Sequence, residues 1–488
     1  MRPVALSRCH HRIEDADGVI PLEALDRKNR ILSLATVCLG SALAPLLVHS
    51  STLGIPVIAL ELSLDSHTIS LFPLALVIGN AITQFPAARL GDRFGRKRVF
   101  ATGLVIAAGA SALGALSTVA WAIIACRFFQ GIGNAFIFAT GVALVIDIAA
   151  ESQRARMLGV YTAACYLGIT SGPLLGGIII QHLGWRAVFY LPVPLLLLTA
   201  AVCLKALHWE SHGDRNRRFD FVGMVTYSIA IMCIAPALQG IAASGSIPVL
   251  AIGVLFLAGF ALDQYRKPLP MVDVRMLVHN TRFGLSCLAM FLVHTSTYSI
   301  PFTMTLYLQY VRALSPQDTG LVLMLQAVLT ALVSPLGSKL SEYFTIRCIT
   351  CGGLACLGAG LAVFAALNQS TPVMFVPLAL ILVGAGIGLF EPLAINFAMS
   401  AAGEEFRGGA AALVNSTRML GSFVSLGLIA ANLSLSLGGE MINAAAHDGL
   451  SVSVHRYFTG ALLAIGLAAG AVWKTKANQG SKGENHVK

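Results

Sequence analysis

The chain has 488 residues, 56% of them hydrophobic and only 11% charged, with a mean hydropathy of +0.77. Soluble domains carry roughly a quarter charged residues, so a water-soluble globule is excluded. The net charge of +10 sits in short loops between apolar runs, which argues against a nucleic-acid-binding face and for loops that set membrane topology.

The first thirty residues are polar and mixed, with no apolar stretch or cleavage site of a secretory signal, and are expected to form a cytosolic tail. Cys9-His10-His11 offers adjacent ligands that cannot close a tetrahedral metal site alone. Apolar segments follow near 32–58, 68–88, 99–118, 120–146, 157–181, 187–207, 221–241, 246–264, 283–307, 318–338, 348–367, 373–400, 409–433 and 457–474. Runs of roughly twenty apolar residues match a bilayer core. The chain is therefore expected to be an all-α polytopic membrane protein of about fourteen transmembrane helices.

Between the second and third segments lies Ala88-Arg-Leu-Gly-Asp-Arg-Phe-Gly-Arg-Lys-Arg98, a tight charged hairpin with five basic residues and one acid. Gly95 permits its turn. Lys28, Arg30, Arg154, Arg156, Arg215, Arg217, Arg218, Arg266, Lys267, Arg275, Arg282, Lys339, Arg347 and Arg407 fall on the same side, as do the C-terminal lysines 474, 476, 482 and 488. The other side holds Arg186, Arg312, Arg456 and little else. Both termini are thus expected in the cytosol, in a cell membrane (the inner one where there are two).

Polar groups inside apolar runs are costly and tend to mark pathways. Arg127 and Gln130 lie in helix four, Glu391 in helix twelve, and Arg418 in helix thirteen. Arg127 is either part of a pathway or a structural arginine satisfied by carbonyls. Glu391 is a candidate proton or cation site, or a carboxylate paired with Arg418. His49 and His294 either titrate or serve as hydrogen-bonded packing residues. Asn80 is a candidate for a cavity wall. Asp147 and Glu151 are expected to pair with Arg154. In helix five, Gly168, Gly172 and Gly176 recur every four residues, followed by Gly177, with Pro173 among them. They suit either a bendable rocking interface or ordinary close packing. The ten cysteines are scattered, and Cys348-x2-Cys351 reads as packing.

An internal repeat is visible. Pro86 to Leu104 resembles Leu336 to Leu354 at a shift of 250, Gly131-Ile-Gly133 matches Gly386-Ile-Gly388 at 255, and Arg154 and Gly168 match Arg407 and Gly421 at 253. This predicts a tail over 1–30, a six-helix bundle over 31–210, a two-helix insert over 211–270, a second six-helix bundle over 271–475, and a tail over 476–488. Transporters built from such repeats carry cargo at the midplane between them.

Several stretches resemble the major facilitator superfamily, most closely its fourteen-helix branch of drug:proton antiporters. Ala88-x-Leu90-Gly-Asp92-Arg93-x-Gly95-Arg96-Lys97 is similar to the signature between helices two and three, with Ala88 where a glycine usually stands. Arg127-x2-Gln130-Gly131-x-Gly133 resembles the helix-four signature, and Gly168-x3-Gly172-Pro173-x2-Gly176-Gly177 the helix-five signature. Trp185-Arg186-x2-Phe189 and Pro268-Leu-Pro-Met-Val-Asp273-Val-Arg275 resemble further stretches. The resemblance implies a major facilitator fold of two six-helix bundles with two inserted helices. It also implies a gating latch at Asp92, Arg93, Gly95, Arg96 and Lys97, and a coupling role for Arg127.

One feature departs from the branch, which carries an Asp in helix one. Here no acid occurs from Arg30 to Leu60, so proton coupling is either absent or falls to Glu391 or a histidine. No Walker-type phosphate loop or catalytic constellation is present, so neither ATP-driven transport nor an enzyme is expected. The expected function is export of small amphipathic molecules by proton antiport, with uptake of a polar metabolite as the alternative. The expected partners are the lipid bilayer and a small-molecule substrate, with no nucleic acid and no obligate protein partner. No cofactor is expected; the proton gradient is the expected energy source.

Overall fold

The computed structural model describes residues 27–205, 210, 219–240, 245–268, 270–402, 407–438 and 447–474. The Cys9-His10-His11 stretch, Arg215, Arg217, Arg218 and the lysines 476, 482 and 488 lie outside them. Among the described residues, fourteen helices are long and apolar enough to cross a membrane: α1 Asn29–Thr52, α2 Ser66–Phe94, α3 Arg96–Ala115, α4 Ala120–Ile148, α5 Arg156–Leu183, α6 Trp185–Lys205, α7 Phe221–Gln239, α8 Ser246–Arg266, α9 Thr281–Val311, α10 Pro316–Gly337, α11 Ile346–Ala365, α12 Phe375–Ala402, α13 Ala410–Leu437 and α14 His447–Lys474.

Local chemistry sets several of these ends. Asp65, Asp220, Asn280, Ser315 and Thr345 each accept a bond from a backbone N–H in the first turn of the helix that follows. Gly95 ends α2 at φ +106°, a left-handed backbone that L side chains rarely adopt, and α3 starts at the next residue. The charged stretch expected as a hairpin is therefore helical on both sides of one glycine. Two other expectations shift. The first apolar run breaks after Thr52 into a turn and a short helix, Ile55–Glu61, with Pro56 in its first turn. The last helix starts ten residues before the apolar run, at His447.

The helices pack in two matching sets. In the first, α1 lies on α5, α4 on α2 and α3, and α6 on α3. In the second, α9 lies on α13, α12 on α10 and α11, and α14 on α11. The sets meet where α5 crosses α10 and α2 crosses α13. α7 wedges against α2 and α13, and α8 packs on α7. Lys267 and Gln264 at the end of α8 both hold Asp220 at the start of α7, at 2.7 and 2.6 Å, and Gln264 Oε1 accepts from the Met271 N–H at 2.7 Å. The insert is thus tied to the strand of chain entering α9. The outer face of α8 exposes large apolar side chains such as Ile247 and Leu255, which suits lipid rather than water.

Glycines bring the helices together, and they correct the repeat. A Cβ on Gly131 would stand 2.0 Å from the Leu76 carbonyl of α2, and one on Gly384 2.4 Å from the Gln326 carbonyl of α10. Gly133 lies against Gly103 of α3, and Gly386 against Gly353 of α11. The equivalent pairs in helix four are therefore 131 with 384 and 133 with 386, a shift of 253 rather than 255. That agrees with Gly168 against Ala42 of α1 and Gly421 against Phe291 of α9.

At the end away from Gly95, Glu61 accepts from Trp185 Nε1 at 2.7 Å and from Arg186 Nη1 at 2.6 Å, and Arg186 also reaches the Ser117 carbonyl at 3.3 Å. The indole N–H first, then the guanidinium, hold the Glu61 carboxyl below the usual glutamate range. This tie is fully present above the unfolded value and is lost as pH falls through the depressed one. Trp185 emission in a protein stripped of its other tryptophans is expected to change in that acid range. In Glu61→Gln it should stay flat, and identical pH courses in the two proteins would mean that the tie does not form.

Candidate functional site

A cavity of about 250 Å³ lies between the two sets of helices. Helices one, two, four and five of the first set line it, with their counterparts α9, α10, α12 and α13. Most of the wall is apolar, from Val48, Leu76, Val77, Phe302, Leu323 and Phe390. The volume is below the ~300–1,000 Å³ of typical small-molecule pockets, so cargo of that size needs the sets to part.

Two charged centres interrupt the apolar wall. Arg127, 1% exposed, donates from Nη1 to Ser51 Oγ at 2.9 Å and to Gln130 Oε1 at 2.8 Å. Gln130 in turn donates to Ser111 Oγ at 2.8 Å. The guanidinium stands 4.6 Å over the Phe72 ring, and its Nε is buried with no partner. Its partners among the described residues are a hydroxyl, a side-chain amide oxygen and a ring face, with no backbone carbonyl among them. On the facing wall Glu391 pairs directly with Arg418. Arg418 Nε also donates to His294 Nε2 at 3.1 Å, and that nitrogen lies 3.6 Å from Glu391.

The structure thus brings Arg127, Glu391, Arg418, His49 and His294 to one cavity. Gln130 stands behind Arg127 and off the wall, and Asn80 is not among the lining residues either. Tyr166 and Tyr298 do line it, and neither gave a signal in the sequence, since a tyrosine in an apolar run looks like packing.

One end of the cavity is sealed by contacts between the sets. Gln309 Nε2 donates to the Leu53 carbonyl at 3.0 Å, and the Tyr310 hydroxyl donates to the Pro56 carbonyl at 3.4 Å. His182 meets Gln317 at 3.2 Å. A Cβ on Gly177 would come within 2.5 Å of the Pro316 carbonyl, and one on Gly320 within 2.3 Å of the Pro173 carbonyl. The helix-five glycines therefore divide. Gly168, Gly172 and Gly176 face Ala42, His49 and Ser50 of α1, inside one set, and only Gly177 faces the other set. α5 continues unbroken through Pro173.

At the other end the charged turn is locked within the first set. Arg96 holds Asp92 at 3.0 Å and Asp147 at 2.7 Å, and Arg89 reaches Asp92 at 3.4 Å. Asp147 at the end of α4 thus takes Arg96, where the sequence suggested Arg154, because the turn folds back over that helix end. Arg93 lies over the Phe94 ring. Glu210, which the sequence reading passed over, accepts from the Lys97 N–H at 2.9 Å and pairs with Arg98 at 3.4 Å. Its distance along the chain left no local signal.

A family model described as the Major Facilitator Superfamily matches residues 37–426. Multidrug resistance protein Stp of Mycobacterium tuberculosis is 29% identical over 374 residues, 75% of this chain and 68% of that protein. Riboflavin transporter RibZ of Clostridioides difficile is 23% identical over 75% of this chain and 79% of its own length. Among solved structures, a bacterial homologue of the human lysosomal transporter Spinster superposes with a TM-score of 0.68 at 16% identity, covering 93% of this chain and all of that one.

Proposed function

Because this chain belongs to the Major Facilitator Superfamily, a family of membrane transporters, we propose that it exports small amphipathic molecules by alternating access, in exchange for protons. The observation that carries this reading is the cavity between two matching helix sets, sealed at one end by contacts that the sets make with each other. The similarity to a multidrug resistance protein supports the outward direction. The basic residues of the Gly95 turn support placing that turn in the cytosol, so that the sealed end faces out.

Glu391 is the one carboxylate on the described cavity wall, so the exchanged proton is assigned to it. With its proton gone it pairs with Arg418 across the wall of α12 and α13; with its proton on, that pair is released. Protonation then favours one orientation of the sets and cargo the other, which is what exchange requires. A second reading, transport of a polar metabolite, is supported by the similarity to RibZ.

The test uses cells overproducing the protein and a panel of amphipathic dyes of differing charge. At least one dye should accumulate less than in control cells, and Arg127→Ala should abolish the difference. In everted vesicles Glu391→Gln should eliminate the part of exchange that follows an imposed pH gradient. Raised accumulation of a polar solute, with no dye expelled, would instead favour the second reading.

A further inference from the structure

The charges on the cavity wall do not balance. The lining holds two arginines, Arg127 and Arg418, and one carboxylate, Glu391. Arg418 and Glu391 answer each other. Arg127 has only a hydroxyl, an amide oxygen and a ring face, and among the described residues no carboxylate pairs with it. One positive charge is left over. The two histidines on the wall, His49 and His294, can only add to it.

An uncompensated guanidinium away from water is costly, and a buried Nε with no partner adds to that cost. A cargo that brings an acidic group answers the unpaired charge, since a carboxylate or sulfonate oxygen accepts from Arg in a charge-assisted bond. A cationic cargo meets like charge with no unpaired acid to offset it. Helix one, which could have supplied an acid on this wall, has none from Arg30 to Leu60. The rest of the wall is apolar and accepts a hydrophobic frame.

We propose that the cargo is an amphipathic anion, a carboxylate or sulfonate on an apolar frame, with its acidic group held by Arg127, and that lipophilic cations are rejected. This rests on the reading of the cavity as the cargo site. It also bears on energetics, because an inside-negative membrane potential pushes an anion outward.

The full-length protein in nanodiscs would be tested by equilibrium dialysis against empty nanodiscs. Three probes serve: 1-pyrenebutyrate as the acid, 1-pyrenebutanol as its uncharged counterpart, and tetraphenylphosphonium as the cation. The acid should bind about tenfold or more tighter than either of the others. Arg127→Gln should erase the margin between acid and alcohol, and Arg127→Lys should keep part of it. Equal binding of acid and alcohol, tighter binding of the cation, or binding of no probe by the wild-type protein would each overturn the inference, whether or not the Arg127 variants fold. Proteoliposome flux separates this inference from the transport reading. Acid-selective binding without flux keeps the anion and removes transport. Flux that carries the cation as readily as the acid keeps transport and removes the anion.

Discussion

Gly131→Ala is expected to prevent the first helix set from assembling, while Gly466→Ala leaves the protein unharmed. A methyl at 131 would lie 2.0 Å from the Leu76 carbonyl, a backbone atom that moves only if α2 moves. α4 packs on both α2 and α3, so it cannot retreat from one without pressing on the other. Overpacking a filled core costs about 1–3 kcal/mol, and contact with backbone belongs at or above the top of that range. Gly466 in α14 has nothing within 4 Å of its Cβ position, and alanine there gains helix propensity. The measurement is thermal unfolding in detergent together with the yield of monodisperse protein. An unchanged melting temperature for Gly131→Ala would mean that α2 and α4 are not in contact at this depth.

Gly320→Ala is expected to do something different: leave the protein folded but shift which end of the cavity is closed. Its Cβ would stand 2.3 Å from the Pro173 carbonyl, yet α5 and α10 belong to different sets. The sets can separate at that end without unfolding, as alternating access requires of them. A penalty of about 3 kcal/mol on the sealed arrangement moves a two-state balance roughly a hundredfold. Thr52, a buried residue of the wall, can report this as a single cysteine in an otherwise cysteine-free protein. Its labelling by a membrane-impermeant maleimide from the face carrying Glu61 should rise steeply in Gly320→Ala, and transport should fall at least tenfold. Gly177→Ala should act in the same direction from the opposite side of the contact. Native labelling with native transport would remove the α5–α10 contact as a gate.

The contrast between Gly131 and Gly320 was not legible in the sequence, which shows each only as a glycine in a membrane-spanning helix. The residues that matter at the cavity were more visible. Arg127, Glu391 and Arg418 stand out because ionised groups are rare in lipid-spanning segments. Their partners were harder. The pairing of Glu391 with Arg418 was one of two readings, and the absence of an acid beside Arg127 depends on what every neighbouring helix presents there. Arg96 with Asp147, and Glu210 at the Lys97 N–H, join residues that no local pattern links.

The sequence by itself determined the membrane setting, the fourteen spans and the turn at Gly95, because hydropathy and glycine conformation act within a few residues, and it showed the existence of a repeat because a duplicated pattern is read by matching the chain against itself. Only the tertiary structure decided which glycine meets which helix and which charge is answered. The reason is angular: each residue turns a helix by about 100°, so the two-residue difference between shifts of 255 and 253 rotates a side chain by roughly 200° and hands it to a different neighbour.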